Sequence, residues 1–349
     1  MSGARFGYVD PDTCQVSGRS SRARRSASAA VVATLAIIGA IGAHCATVNA
    51  ADYPVRAVRL VVPFAPGGAT DILARVIAPT LASTWGQSVL VDNRPGAGGA
   101  IGGTLVAKAN PDGHTLFVPS GTLLTANPFL YSRLAYQPAR DLAPITILAS
   151  NPQVIVVSPT LAVKTVKELI ALAKSRPAGV TFASAGIGSQ THLGAESFAF
   201  VAGIDATHVP YSSGGQANAA VLSGEVQFAA VSISTIMGQI GQGKLRPIAV
   251  TSRARARQAP EIPTVADTLP GFDNLGWFAL MSTAGTPAAI VQRIYQDCAR
   301  ILKLPDVQTR LDQLGMDPIA STPEAFAKEI ARESKMWAAL IDARKLRAE

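Results

Sequence analysis

Cysteine is close to absent from this chain, with three among 349 residues, at positions 14, 45 and 298. Two of these fall in the first fifty residues, so a chain that loses that segment keeps a single thiol and can form no internal disulfide. Burial must then hold the fold, and the 299 residues that remain are enough for two domains. Charged residues are sparse too, at 15% of the sequence, and aromatics make up 6%. Neither gathers into a basic run or an aromatic ladder, which argues against a nucleic-acid partner. Catalytic signatures are missing as well. No glycine-rich stretch ends in the Lys-Ser or Lys-Thr of a P-loop, and no Gly-x-Ser-x-Gly elbow occurs. Four histidines are present, and the three outside the first fifty residues, His114, His192 and His208, lack the spacing of metal ligands. The expectation is therefore no metal, no cofactor and no nucleic acid.

Residues 1–50 read as a secretory signal peptide. Arg19, Arg22, Arg24 and Arg25 form a basic region, an uncharged run extends from Ala27 to Ala43, and small residues end in Val48-Asn49-Ala50. The strongly apolar part spans about fifteen residues, short of the roughly twenty that a membrane-spanning helix needs. His44 is too large and polar for the residue before a lipoprotein cysteine, and Arg24-Arg25 alone does not define a twin-arginine signal. Cleavage after Ala50 removes five Arg and two Asp, so the formal charge falls from +8 to +5. The expected location is periplasmic.

The stretch around which the remaining chain is organised is Val58–Asp71, VRLVVPFAPGGATD. Val58–Val62 has the β-branched density of a buried strand, and Pro63 and Pro66 stop it. Gly67 and Gly68 permit a tight turn, and Thr70 or Asp71 could cap the next helix. A strand, a glycine loop and a helix start place unpaired N–H groups and the positive dipole end where an anion can sit. An ordinary βα turn has the same appearance, so one such loop proves little. The stretch Thr181–Phe198, TFASAGIGSQTHLGAESF, repeats the chemistry: a strand to Ser184, a loop through Gly186 and Gly188, and Ser189 as the N-cap. Two neutral, donor-rich helix starts facing each other would hold a small carboxylate without a buried cation.

Strand-like runs recur at 89–91, 115–118, 154–157, 180–183, 207–209, 226–230, 248–251 and 277–282, with amphipathic stretches between them such as 166–175, 195–201 and 217–222. This alternation implies parallel sheets covered by helices on both faces. The end of the chain is helical, in three segments that open at Pro287, Pro305 and Pro323. Gly186-x-Gly188 and the run Gly96–Gly103 lack the strand context and downstream acid of a dinucleotide fingerprint. The latter suits a helix start packed closely on its neighbours, at the rim of a cleft. Ser189 and His192 could be imagined as nucleophile and base of an exported hydrolase, though each histidine reads more simply as structural.

Beyond these readings, the chain resembles the Bug, or TctC-like, family of extracytoplasmic solute receptors of tripartite tricarboxylate transport systems. The resemblance is carried by Pro63-Phe64-Ala65-Pro66-Gly67-Gly68 with Thr70-Asp71, by Trp85-Gly86-Gln87 and by Asp92-Asn93-Arg94-Pro95-Gly96-Ala97-Gly98-Gly99. It continues through Pro111-Asp112-Gly113, Ser184-Ala185-Gly186-x-Gly188-Ser189 with His192-Leu193, His208-Val209-Pro210-Tyr211 and Gly243-Lys244-Leu245-Arg246. His114 stands where Tyr is usual, and Ser212-Ser213 replaces a common Lys-Gly near the cleft.

The resemblance implies an α/β periplasmic binding protein of two lobes, each a mostly parallel sheet covered by helices, closing on a ligand. Lobe 1 would hold residues 51–150 and 275–349, lobe 2 residues 151–274, and 145–158 and 275–283 would be hinge strands. The implied ligand-binding residues are Phe64, Ala65, Gly67, Gly68, Thr70, Asp71, Ser184, Gly186, Gly188, Ser189, His192 and Tyr211. Asp71 poses a problem, since a carboxylate repels a bound carboxylate; it is either a cap turned from the cleft or a reader of an amino or hydroxyl group. The expected role is a monomeric, non-catalytic receptor that passes a small carboxylate to membrane permease subunits. A sensor subunit reporting to a membrane kinase would share this sequence.

Overall fold

The computed structural model describes residues 52–176 and 179–348, so the signal-peptide reading of 1–50 lies outside the described residues. Within them, ten strands run in chain order as β1 (Val58–Val62), β2 (Val89–Asn93), β3 (Thr115–Phe117), β4 (Leu142–Asn151), β5 (Gln153–Val157), β6 (Thr181–Ser184), β7 (Thr207–Pro210), β8 (Phe228–Ser232), β9 (Arg246–Val250) and β10 (Gly276–Thr283). They form two five-stranded sheets, ordered β2-β1-β3-β10-β4 and β7-β6-β8-β5-β9.

The α/β architecture is the one expected, but the sheets are mixed where mostly parallel ones were anticipated. β1 lies parallel to β2 and β3, and β6 parallel to β7 and β8, while β10 runs antiparallel to β3 and β4, and β5 antiparallel to β8 and β9. The reason lies in the connections. Parallel neighbours need a crossover, whereas β4 passes straight through Pro152 into β5 of the other sheet, and β10 returns to the first sheet beside β4. The residue pattern of each sheet reflects burial on both faces. Val58, Leu60 and Val62 enter one core while Val61 between them enters another, and Ile155 and Val157 likewise point away from Val154 and Val156.

The eight longer helices among the described residues are α1 (Ala69–Trp85), α2 (Ala100–Ala107), α3 (Val166–Ser175), α4 (Gln190–Ala202), α5 (Gly214–Ser223), α6 (Ala288–Ile301), α7 (Pro305–Gln313) and α8 (Pro323–Arg344). None is long and apolar enough to cross a membrane. Pro305 and Pro323 take the first helical position of α7 and α8, where a missing N–H costs nothing, whereas Pro287 sits one residue before α6 as its cap. The last helix ties the two sheets together. Trp337 and Ile341 of α8 pack with Leu193 of α4, and the Arg344 guanidinium donates to Glu196 Oε2 at 3.1 Å.

Another contact of α8 yields a test. Glu333 is buried, accepts a hydrogen bond from Trp277 Nε1 of β10 at 2.6 Å, and has its carboxyl pushed up to about 7 by burial. Because the raised value favours the protonated acid in the folded state, its stabilisation is complete below 4.5 and is lost as pH rises to about 7. Replacing Glu333 by Gln keeps an acceptor for Trp277 and removes the titration. The stability of Glu333→Gln relative to wild type, measured by denaturant unfolding, should rise by up to roughly 3 kcal/mol between pH 4.5 and 7. A difference that does not change with pH would show that Glu333 does not titrate there.

Candidate functional site

The loop before α1 is shaped by Asp71. Gly67 turns with φ 81°, and Gly68 is the N-cap in extended conformation, so the helix begins at Ala69 and Thr70 and Asp71 lie inside its first turn. This differs from a cap at Thr70 or Asp71. The Asp71 carboxylate reaches back instead, accepting from Gly67 N at 2.9 Å, from Arg75 Nε at 3.0 Å and from Asn93 Nδ2 at 3.0 Å. Burial opposes its ionisation, but these hydrogen bonds outweigh that and hold the carboxyl below its ordinary range. No side chain caps α1, so its first N–H groups are left for another partner.

The second loop is stitched by hydroxyls. Ser189 is the N-cap of α4, accepting from His192 N at 3.2 Å, and its Oγ lies 3.0 Å from Thr191 Oγ1, which accepts from Ala185 N at 2.8 Å. His192 Nδ1 accepts from Gly188 N at 3.2 Å, and its ring lies 4.1 Å from that of His208, centroid to centroid. Burial, with His208 beside it, drives His192 well below its usual value, and burial takes His208 down to about 4, so both are neutral at pH 7. Ser189 Oγ bonds to Thr191 and to the backbone of His192 but not to the imidazole. The Ser–His pair that does form, Ser184 Oγ to His208 Nε2 at 2.6 Å, joins a fully buried hydroxyl to a half-buried ring, and Ser184 lines neither space of the site. Neither arrangement presents an activated hydroxyl to a substrate.

The two helix starts meet around a cavity of about 40 Å³ lined by fourteen residues, none of them charged. Of the residues anticipated from sequence, Phe64, Gly68, Thr70 and Ser189 border it. Gly186 and Tyr211, with Phe64 again, line an adjoining space of about 360 Å³ together with Gly96–Gly99. Ala65, Gly67, Asp71, Ser184, Gly188 and His192 border neither and shape the loops from behind. A third helix start completes the ring: α5 begins at Gly214 on the cavity wall, capped by Ser213, which accepts from Gln216 N at 3.4 Å. Ser120, Asn151, Gln190, Thr191, Ser232, Thr235 and Phe278 supply most of the remaining wall. The amphipathic run at 217–222 marked the body of α5 in the sequence but not its start, which the Ser213–Gln216 spacing signals; the others stand on elements that become neighbours through folding.

Glycines set how close the two loops come. A Cβ on Gly98 would overlap the Ile187 carbonyl oxygen and the Tyr131 hydroxyl, which itself donates to Ile187 O at 3.1 Å. A Cβ on Gly188 would overlap Asn127 Oδ1. At Gly67 and Gly186 a Cβ would meet nothing closer than 3.4 Å, so these two are glycines for their positive φ, 81° and 108°. A larger space of about 400 Å³ lies on the far side of Gln190, toward α8. It is lined by Asp273, Glu329, Arg332 and Glu333, and of the three helix starts only Gln190 of α4 reaches it.

Comparison with known proteins places this geometry among relatives. The profile of the family described as "Tripartite tricarboxylate transporter family receptor" matches residues 73–346. BugT of Bordetella pertussis is 35% identical over 298 residues, covering 85% of this chain and 91% of its own. A protein of R. palustris solved with adipate is 31% identical, with a TM-score of 0.82 over 84% of this chain and 99% of its own. MatC from Rhodopseudomonas palustris with bound malate is 33% identical, with a TM-score of 0.79 over 83% of this chain and 100% of its own.

Proposed function

This chain belongs to the tripartite tricarboxylate transporter receptor family, and from that premise we propose that it captures a small organic carboxylate between two lobes in the periplasm for delivery to membrane permease subunits. The observation that carries this reading is the convergence of the starts of α1, α4 and α5 on one uncharged cavity. First-turn N–H groups and hydroxyls supply donors there, and the aligned dipoles supply a positive potential without a cation. Lobe 1 comprises 51–150 and 275–349 and lobe 2 comprises 151–274, with the β4–β5 passage and the start of β10 as the hinge. The site residues that touch ligand are Phe64, Gly68, Thr70, Ser189 and Gln190, joined at the mouth by Gly186 and Tyr211. The protein does no chemistry on its ligand, a reading supported by the separation of Ser189 Oγ from the His192 imidazole. It acts as a monomer, exported by the segment 1–50.

Mass spectrometry of small molecules carried through native purification, with a subsequent thermal-shift screen of mono-, di- and tricarboxylates, tests this. Saturation at a hundredfold excess over Kd adds about 2.7 kcal/mol, enough to raise Tm by a few degrees. If sugars or cations stabilise the protein and no acid does, the carboxylate reading is wrong.

A further inference from the structure

We propose that the ligand carries a hydroxyl in addition to its carboxylate, and that Asn151 Oδ1 reads it. This rests on the carboxylate reading and narrows it to hydroxy acids. Asn151 closes β4, has no exposed surface and borders the cavity. Its Nδ2 donates to Ser232 Oγ at 2.9 Å and to Gln190 Oε1 at 3.3 Å, while Gln190 Nε2 donates to the Asn151 backbone oxygen at 3.3 Å. These bonds fix which end of the amide is nitrogen, because Gln190 offers its oxygen to one side and its nitrogen to the other. Asn151 Oδ1 is left without a donor among the described residues.

A buried amide oxygen can only accept, so a carboxylate cannot satisfy it, whereas a hydroxyl on the ligand can. The other buried polar atom without a partner on the cavity wall is Thr70 Oγ1, in the first turn of α1. A hydroxyl there can donate to the carboxylate, so the two side chains divide the ligand between them. An ammonium group would also donate to Asn151, but none of the lining residues carries a negative charge, and the Asp71 carboxylate is occupied by Arg75, Asn93 and Gly67. A cation would be stripped of water with nothing on the wall to balance it. A neutral hydroxyl avoids that cost.

Calorimetric titration of the purified protein with three matched sets decides the matter: propionate, lactate and alanine; butyrate, 3-hydroxybutyrate and 3-aminobutyrate; succinate, malate and aspartate. In the set that fits, the hydroxy acid should bind about tenfold or more tighter than either companion. Asn151→Leu should reduce that preference to less than about twofold, chiefly by weakening the hydroxy acid. Equal or tighter binding of the unsubstituted or amino acid overturns the proposal and leaves the carboxylate receptor standing, as does an Asn151→Leu variant that weakens all members of the set alike. Failure of every acid in all three sets overturns the proposal, and the carboxylate reading falls with it only if the wider thermal-shift screen also finds no acid that binds. Should Asn151→Leu not fold, the wild-type ranking still decides.

Discussion

Replacing Gly98 by alanine is expected to weaken ligand binding roughly tenfold to hundredfold, the equivalent of the 1–3 kcal/mol that overpacking costs at a close contact. Gly98 belongs to the turn before α2, and the atom that its new Cβ would strike is a backbone carbonyl, that of Ile187 in the loop before α4. A backbone oxygen cannot swing aside as a side-chain tip can, and the Tyr131 hydroxyl occupies the other side. The two loops must therefore separate, and the apposition that surrounds the cavity is lost. A ligand stabilises a closed state only by its difference in affinity between closed and open, so a variant that penalises closure binds less tightly by that penalty. Alanine at φ 57° adds a local strain of its own. Gly86→Ala separates the two effects: Gly86 has φ 62° and open space around it, at the C-cap of α1. That control should lower stability by about 1 kcal/mol and leave affinity unchanged. Small-angle scattering with saturating ligand should show wild type contracting and Gly98→Ala contracting less. Unchanged affinity in Gly98→Ala would mean that this loop contact forms no part of the bound state.

How far the sequence already spoke for this site depends on how local each signal was. The strand, glycine loop and helix start at 58–71 and 181–198 were legible because all three parts are contiguous, and Ser189 caps α4 as its spacing indicates. β4 was harder to read, since Pro144 interrupts its apolar run; it holds strand geometry because β10 pairs with it along its whole length. The sense of the strands was misjudged for a related reason. Apolar density reports burial on both faces, and β5 and β10 are as deeply buried as any parallel strand although they run antiparallel to their neighbours. Asp71 left two readings open in the sequence, and the decisive partners, Arg75 one turn on and Asn93 at the end of β2, turn it from the cavity. Asn151, Ser232 and Gln190 carried no motif at all, because each is an ordinary polar residue until three separate elements bring them to one wall.

Gly276→Ala should be the more disruptive substitution, at the β4–β10 pair of the proposed hinge, and it can be repaired by a second change. Gly276 begins β10 directly opposite Asn151 in β4, and a Cβ built on it would coincide with the amide of Gln190. Gln190 lies across this strand pair, bonded to both the backbone oxygen and the side chain of Asn151. It also borders the ligand cavity on one side and the space toward α8 on the other. Expelling its side chain removes two hydrogen bonds from a buried site, a loss of roughly 1–3 kcal/mol for each group left unpaired, and shifts the first turn of α4 against the ligand. Wild type and Gly276→Ala should then differ by at least about tenfold in affinity and by a few kcal/mol in unfolding free energy. The double variant Gly276→Ala with Gln190→Ala leaves the new methyl group unopposed. It should therefore be more stable than Gly276→Ala alone, with a coupling of about 1–3 kcal/mol in a double-mutant cycle, as expected for residues in direct contact. Simple additivity of the two substitutions would show that Gln190 does not brace the β4–β10 pair.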